Sequence, residues 1–223
     1  MNFISGSTTM ATKSKNVTVT PMNLQQLPTV DASWTLFLDR DGVINERIDN
    51  DYVRNWDDFS FFPRTPQAIA SLSEIFGKVI VVTNQQGIGK GLMTEKELNE
   101  VHRLLRKTID LMDGRIDKIY HCPDLAASNS PNRKPNTGMG LQAKQDFPMI
   151  DFKKSIMVGD SASDIEFGKR LGMTTILIKG KPSIHEADCQ PDFIFESLTK
   201  LSKEFCIAVQ EVAQDDETEV EMD

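Results

Sequence analysis

Short runs of apolar residues alternate along the chain with longer stretches whose apolar positions recur every three or four residues. The runs are Trp34–Leu38, closing on Asp39; Lys78–Asn84; Lys118–Cys122; Ser155–Gly159, closing on Asp160; Thr174–Ile178; and Asp192–Phe195. Runs of this length, rich in Val, Ile, Thr and Phe, read as strands. Val79 to Val82 are four β-formers in succession, which suits a strand buried on both faces in a parallel sheet.

The intervening stretches read as helices. Pro66 suits a first helical turn, with Ala68, Ile69, Leu72 and Ile75 on one face and Gly77 closing it. Thr94 to Glu97 forms a capping box, opening a helix with Leu98, Val101, Leu105, Thr108/Ile109 and Met112 at helical spacing. A third helix spans about Gly138 to Phe147. Ser161 and Asp164 cap a fourth, stopped at Gly172, and Ser197 begins the last. Strands alternating with helices, joined by right-handed crossovers, make an α/β protein with a doubly wound parallel sheet. There is neither an internal repeat nor a second core.

Three segments break the alternation. Residues 1–30 are polar with little periodicity and are expected as a flexible leader, so that the domain proper spans residues 31–210. Glu46 to Asp58 is too long and polar for a simple strand-to-helix turn and is expected as a flap over a site. Residues 211–223 hold seven acids and no base, and are expected as a disordered tail. They account for nearly all of the formal charge of −8, leaving the body close to neutral. Nothing in that balance suggests a nucleic-acid partner. Three widely spaced cysteines make no disulfide framework, and no run is long enough to span a membrane. With no secretory signal in view, the expectation is a cytoplasmic enzyme.

Chemistry gathers where the strands end. The first closes on Asp39 with Asp41 and Gly42 behind it, the second on Thr83, and the fourth on Asp160. In an open parallel sheet the carboxyl ends of the strands form the ligand crevice. An acidic pair there is costly unless a cation or proton compensates it. Two other readings fail. A calcium loop beginning at Asp39 needs Gly where Ile44 stands and Glu where Asn50 stands. The glycines from Gly87 to Gly91 miss the nucleotide phosphate-loop pattern at Asn84 and Gly91, and read instead as a mobile turn.

Asp39-x-Asp41, Val82-Thr83-Asn84, Arg133-Lys134-Pro135 and Val158-Gly159-Asp160-x-x-x-Asp164, in that order, resemble the four motifs of the haloacid-dehalogenase-type (HAD) phosphohydrolase superfamily. The resemblance implies a Rossmann-like HAD fold and a phosphatase working through an aspartyl phosphate. It makes Asp39 the nucleophile and Asp41 the general acid–base. Thr83 would bind a phosphoryl oxygen, and Lys134 would balance charge. Magnesium would be held by Asp39, the Asp41 carbonyl and Asp160, with Asp164 either orienting that shell or capping its helix. Within the superfamily the chain is similar to the D-glycero-D-manno-heptose 1,7-bisphosphate phosphatases and the related histidinol-phosphate phosphatases. Asp39-Arg-Asp-Gly-Val-Ile-Asn45, Asp51-Tyr52-Val53, Thr83-Asn-Gln-x-Gly-Ile88 and Cys122-Pro123 carry that likeness.

These relatives lack a large cap domain, and the spacing here leaves no room for one. Substrate recognition would fall on Asp49, Tyr52, Asn84, Gln85, Gln86 and Arg133, and an open site of that kind suits a small phosphorylated sugar. The relatives hold the loop before Arg-Lys-Pro with zinc on two Cys-containing pairs. The corresponding positions here are Cys122, Asp124, Ser130 and Asn132, so no structural zinc is expected. The leading expectation is a monomeric magnesium-dependent heptose-bisphosphate phosphatase. The alternatives are histidinol phosphate or a nucleic-acid 3′-phosphate as substrate, or a regulatory protein that only binds a phosphometabolite.

Overall fold

The computed structural model describes residues 27–49, 51–179 and 189–220, with side chains as far as residue 210. Six strands form one sheet: β1 (Thr35–Leu38), β2 (Lys78–Asn84), β3 (Lys118–Cys122), β4 (Ser155–Gly159), β5 (Thr174–Ile178) and β6 (Phe193–Phe195). Their order across the sheet is β3-β2-β1-β4-β5-β6, and every pair is parallel. The chain builds outward from β1 in one direction, returns to β4, and builds outward in the other. The switch point therefore falls between β1 and β4, where a doubly wound sheet opens its crevice.

Alternation of side chains along β1 divides the core. Leu36 and Leu38 point to one face, with Val79, Val81, Ile156 and Val158, and are covered by α1 (Thr65–Ile75), α2 (Glu95–Asp110) and α5 (Leu198–Val220). Phe37 points to the other, with Ile80, Val82 and Met157, under α3 (Gly138–Asp146) and α4 (Ala162–Leu171). Every residue of β1 is buried, because this strand has neighbours on both edges and helices on both faces. The expected capping box at Thr94–Glu97 is present, and the αL Gly172 ends α4.

Several boundaries differ from the sequence pattern. Leu27 and Val30, placed in the leader, pack against the core, while residues 1–26 lie outside the described residues. Met112 keeps helical spacing in the sequence but lies beyond α2, which ends at Asp110, and is exposed. Helix α5 continues to Val220, through most of the acidic stretch set aside as a disordered tail. The turn from Gly87 to Gly91, expected to be mobile, is stitched down by Ile88 N–H to Gln85, Gly89 N–H to Pro123 and Lys90 N–H to Gln86. No described helix is long and apolar enough to cross a membrane.

Candidate active site

The site is built on the first residues beyond the central strands. Asp39 N–H still bonds to the Val158 carbonyl at 2.9 Å, so the nucleophile candidate is fixed by the last rung between β1 and β4. The chain then turns sharply, the Arg40 carbonyl accepting from Ile44 N–H at 2.8 Å and Asn45 N–H at 3.1 Å. Gly42 makes the turn with φ +93°, and a Cβ there would lie 1.8 Å from Asp160 Oδ2. Only glycine lets the turn and the β4 acid come this close.

Asp39 Oδ1 accepts from Arg40 N–H at 2.7 Å and meets Lys134 Nζ at 2.9 Å. Among the described residues nothing donates to Oδ2, and Asp39 lines a cavity of about 330 Å³. Lys134 is itself buried; its ammonium donates to the Val82 carbonyl at 2.7 Å and pairs with Asp39 and with Asp164 Oδ1, the latter at 2.6 Å. Burial opposes its charge, but Asp164 and Asp39 outweigh that and hold its pKa above the ordinary lysine value. The loop carrying Lys134 is clamped by Asn84, whose amide accepts from Lys134 N–H and donates to its carbonyl. Arg133 donates to the Asp124 carbonyl at 3.1 Å, and Cys122 Sγ sits 3.6 Å from Asp124 and 3.8 Å from Ser130. These hydrogen bonds order the loop between Cys122 and Arg133.

Asp41 sits in a fork. Arg40 Nη2 lies 2.9 Å from each carboxylate oxygen, Asn45 donates to Oδ1 at 2.9 Å, and Gln85 donates to Oδ2 at 2.8 Å. Burial alone would raise its pKa, but the Arg40 charge and these donors together hold it below the usual carboxylate range. Arg40 is fully buried and reaches a second partner, His102 on α2, whose Nε2 stands 3.2 Å from Nη1. Burial, with the adjacent Arg40 charge, pushes His102 down to about 2. The imidazole is therefore neutral, and its Nε2 is the acceptor in that bond.

Three carboxylates, Asp39, Asp160 and Asp164, place oxygens within 4.8 Å of one another. Asp164 is already committed: Oδ2 accepts from Ser161 N–H at 3.0 Å, closing the α4 capping box, and Oδ1 faces Lys134. Asp39 and Asp160 remain. Burial, then repulsion by Asp164, push Asp39 up to about 6, and burial, then repulsion by Asp39 and Asp164, push Asp160 up to about 8. Two crowded oxygen donors with too little positive charge, and a glycine cradle that admits Asp160, fit a small hard dication of the magnesium type. Arg47 Nη2 approaches the same oxygens, at 2.9 Å from Asp160 Oδ1 and 3.4 Å from the Asp41 carbonyl.

Of the residues singled out from sequence, Asp39, Asp41, Tyr52, Thr83, Asn84, Gln86, Arg133, Lys134 and Asp164 line the same cavity, and Asp160 is not among its lining residues. Asp49 is exposed and is not among its lining residues; Asp51, two positions on, is. Gln85 is turned beneath the site, bonding Thr83 Oγ1 and Asp41 rather than facing the cavity. Sequence reasoning missed Arg47, Ser161 and Ser163 in the lining and His102 behind it. Arg47 carries no local signal, and His102 looks like an ordinary helix position. The expected flap is anchored: Trp56 stacks on Phe59 at 4.8 Å, Phe59 meets Phe61 edge-on, and Glu46 N–H bonds Ser60. From that anchor Arg47, Ile48, Tyr52 and Val53 form one wall of the cavity.

The family described as HAD-hydrolase-like matches residues 131–201. A protein of Mycobacterium bovis named D-glycero-alpha-D-manno-heptose-1,7-bisphosphate 7-phosphatase is 36% identical over 168 residues, 73% of this chain and 88% of the relative. The Haemophilus influenzae protein named for the beta anomer is 32% identical over 176 residues, 75% of this chain and 94% of the relative. Among solved structures, the D,D-heptose 1,7-bisphosphate phosphatase of B. bronchiseptica, complexed with magnesium and phosphate, superposes with a TM-score of 0.69 at 27% identity. That match covers 80% of this chain and 99% of the other.

Proposed function

The chain belongs to the heptose-bisphosphate 7-phosphatase family of HAD-like hydrolases, which are phosphoric monoester hydrolases, and we propose that it removes the 7-phosphate of D-glycero-D-manno-heptose 1,7-bisphosphate. The observation that carries this reading is the pinning of Asp39. One oxygen is held by Lys134 and Arg40 N–H, and the residue faces a cavity that two guanidinium groups, of Arg47 and Arg133, also line.

A phosphate monoester resists attack because its own oxygens repel nucleophiles, so catalysis depends on placing charge and aligning the attack. Asp39 Oδ2 bonds to phosphorus as the bond to the sugar oxygen breaks, leaving an aspartyl phosphate. As the phosphate dianion enters, it raises the proton affinity of Asp41, which takes up a proton from solvent and gives it to the departing alkoxide. In the second step Asp41, again a carboxylate in its fork of donors, takes a proton from water. That water attacks phosphorus and returns Asp39 and inorganic phosphate. Thr83 is placed to donate to a phosphoryl oxygen, and Lys134 keeps Asp39 ionised beside the incoming anion. Asp39, the Asp41 carbonyl and Asp160 would hold magnesium, which neutralises phosphoryl charge when bound.

Two guanidiniums in one cavity favour a substrate with a second anionic group. An amine such as that of histidinol phosphate would look for an uncommitted carboxylate at the rim, but Asp51 is held by both its oxygens to Arg54 Nη2. The test is magnesium-dependent phosphate release from both heptose anomers, histidinol phosphate and a 3′-phosphorylated oligonucleotide, with Asp39→Asn as the blank. Selective turnover of a heptose bisphosphate is expected. Preference for histidinol phosphate or the oligonucleotide would refute the substrate assignment.

A further inference from the structure

We propose that Arg47 is a displaceable cation: it and magnesium use the same oxygens, and metal binding turns its guanidinium to the substrate's second phosphate. The observation is a shared coordination site. Arg47 Nη2 stands 2.9 Å from Asp160 Oδ1 and 3.4 Å from the Asp41 carbonyl; Asp160 and that carbonyl are two of the groups that would hold magnesium with Asp39, whose carboxylate lies within 4.8 Å of that of Asp160. A guanidinium nitrogen and a dication cannot occupy one position, so each must exclude the other.

Arg47 is suited to moving. Its side chain is 51% exposed although Asp160's is only 8% exposed, so the pair is buried at the acid and open at the base. An ion pair of that kind is weak enough to exchange. The backbone of Arg47 stays on the wall of the cavity, beside Ile48 and Tyr52, in a loop whose base is fastened by the Trp56, Phe59 and Phe61 cluster. A guanidinium released from Asp160 therefore remains at the same cavity. There it can fork onto a phosphate as it forked onto nothing at Asp160, where one nitrogen makes both contacts. Metal loading and recognition of a doubly anionic substrate become one event, because the dication supplies the charge at Asp160 that Arg47 gives up.

This second role rests on the phosphatase reading; the competition with magnesium does not. The first measurement is titration of magnesium into the full chain, without substrate, by calorimetry at pH 8.5, for the wild type, Arg47→Ala and Arg47→Met. Both variants should bind magnesium about fivefold more tightly, equivalent to about 1 kcal/mol. Unchanged or weaker binding in both would overturn the proposal. The second measurement compares KM for a sugar bisphosphate and for the same sugar carrying only the scissile phosphate. With magnesium saturating for both proteins, Arg47→Ala should raise the first about tenfold and the second by much less. An equal rise for both esters would also overturn it, since Arg47 would then serve the reacting phosphate. Failure of the wild type to hydrolyse any phosphate ester would instead refute the proposed function, and the calorimetric result would still decide the competition.

Discussion

Lys134 Nζ stands 2.9 Å from Oδ1 of Asp39, with both side chains almost fully buried. The same ammonium lies 2.6 Å from Asp164, so one cation serves two buried carboxylates. Removing one partner of a buried pair strands the other charge, at a cost of about 3–5 kcal/mol. Lys134→Ala should lose about that much stability in urea unfolding and lose turnover with it. Lys134→Ala combined with Asp39→Asn should be less destabilised than the single variant, because one of the two stranded charges is gone. Equal loss in both would show that packing, not charge, is what Lys134 provides.

Asp41 is fixed by Arg40, Asn45 and Gln85 whether or not it exchanges a proton. Asp41→Asn should therefore lower kcat by about 10²–10⁴, the usual scale of general acid–base catalysis, with phosphate and magnesium affinity nearly kept. Calorimetric titration of both ligands into the variant makes the check. Loss of magnesium affinity equal to the loss of rate would assign Asp41 to metal binding instead.

His102 is not among the residues that line the cavity and bonds to Arg40, which holds Asp41; this makes it a positioning residue. His102→Leu leaves Arg40 Nη1 buried without its acceptor, at about 1–3 kcal/mol. The expected result is a fall in kcat with KM and magnesium affinity held, and recovery in His102→Gln, whose side-chain oxygen can accept from Arg40. With the wild-type imidazole pushed down to about 2, its titration contributes no limb to the rate profile. The profiles of the wild type and His102→Gln should have the same shape between pH 5 and 9, measured by initial rates.

The crowded acids set a pH dependence of stability whose sign follows from their direction. Asp39 is raised from 3.8 to about 6 and Asp160 from 3.8 to about 8, so the folded protein keeps protons that the unfolded chain has released. Stability from these groups is greatest at the acid end of that window and falls as pH rises through about 8. Asp41, held low, acts in the opposite sense, and its contribution is lost only as pH falls below the ordinary carboxylate value. In chelator, Tm should fall between pH 5.5 and 8.5. Magnesium should restore it, with a larger increment at pH 8.5. A larger increment at pH 5.5 would place the metal away from these acids.

Gly42→Ala tests the cradle. The new Cβ meets Asp160 Oδ2 at 1.8 Å at a backbone φ of +93°, so either the turn or the acid must move. Strain of this kind costs about 1–3 kcal/mol. Magnesium affinity in calorimetry should fall more than that stability loss alone explains, because Asp160 is the displaced group.

The strand-end acids Asp39 and Asp160, with Thr83, were legible in the chain because strand periodicity fixes which residue ends each strand, and in a parallel sheet all those ends lie together. With no cap domain, the sequence puts Gln85 among the substrate contacts of the loop that follows Thr83. Its amide instead turns under the site, where Asp41 and Thr83 offer a buried acceptor pair. Asp49 and Asp51 are equally acidic in the sequence. Which of them reaches the cavity depends on how the loop bends over its aromatic anchor, a property of packing among Trp56, Phe59 and Phe61.

By itself, the sequence determined the alternating elements, the parallel sheet and the order in which its chemistry-bearing ends occur. These follow from local periodicity and the short reach of the connections. Only the tertiary structure decided how charge is shared. That Lys134 serves both Asp39 and Asp164, that Arg40 ties Asp41 to His102, and that Arg47 meets Asp160 are contacts between residues far apart in the chain, except for the Arg40–Asp41 neighbours. Electrostatic pairing depends on distance and burial in space, and neither is encoded in the spacing of residues along a chain.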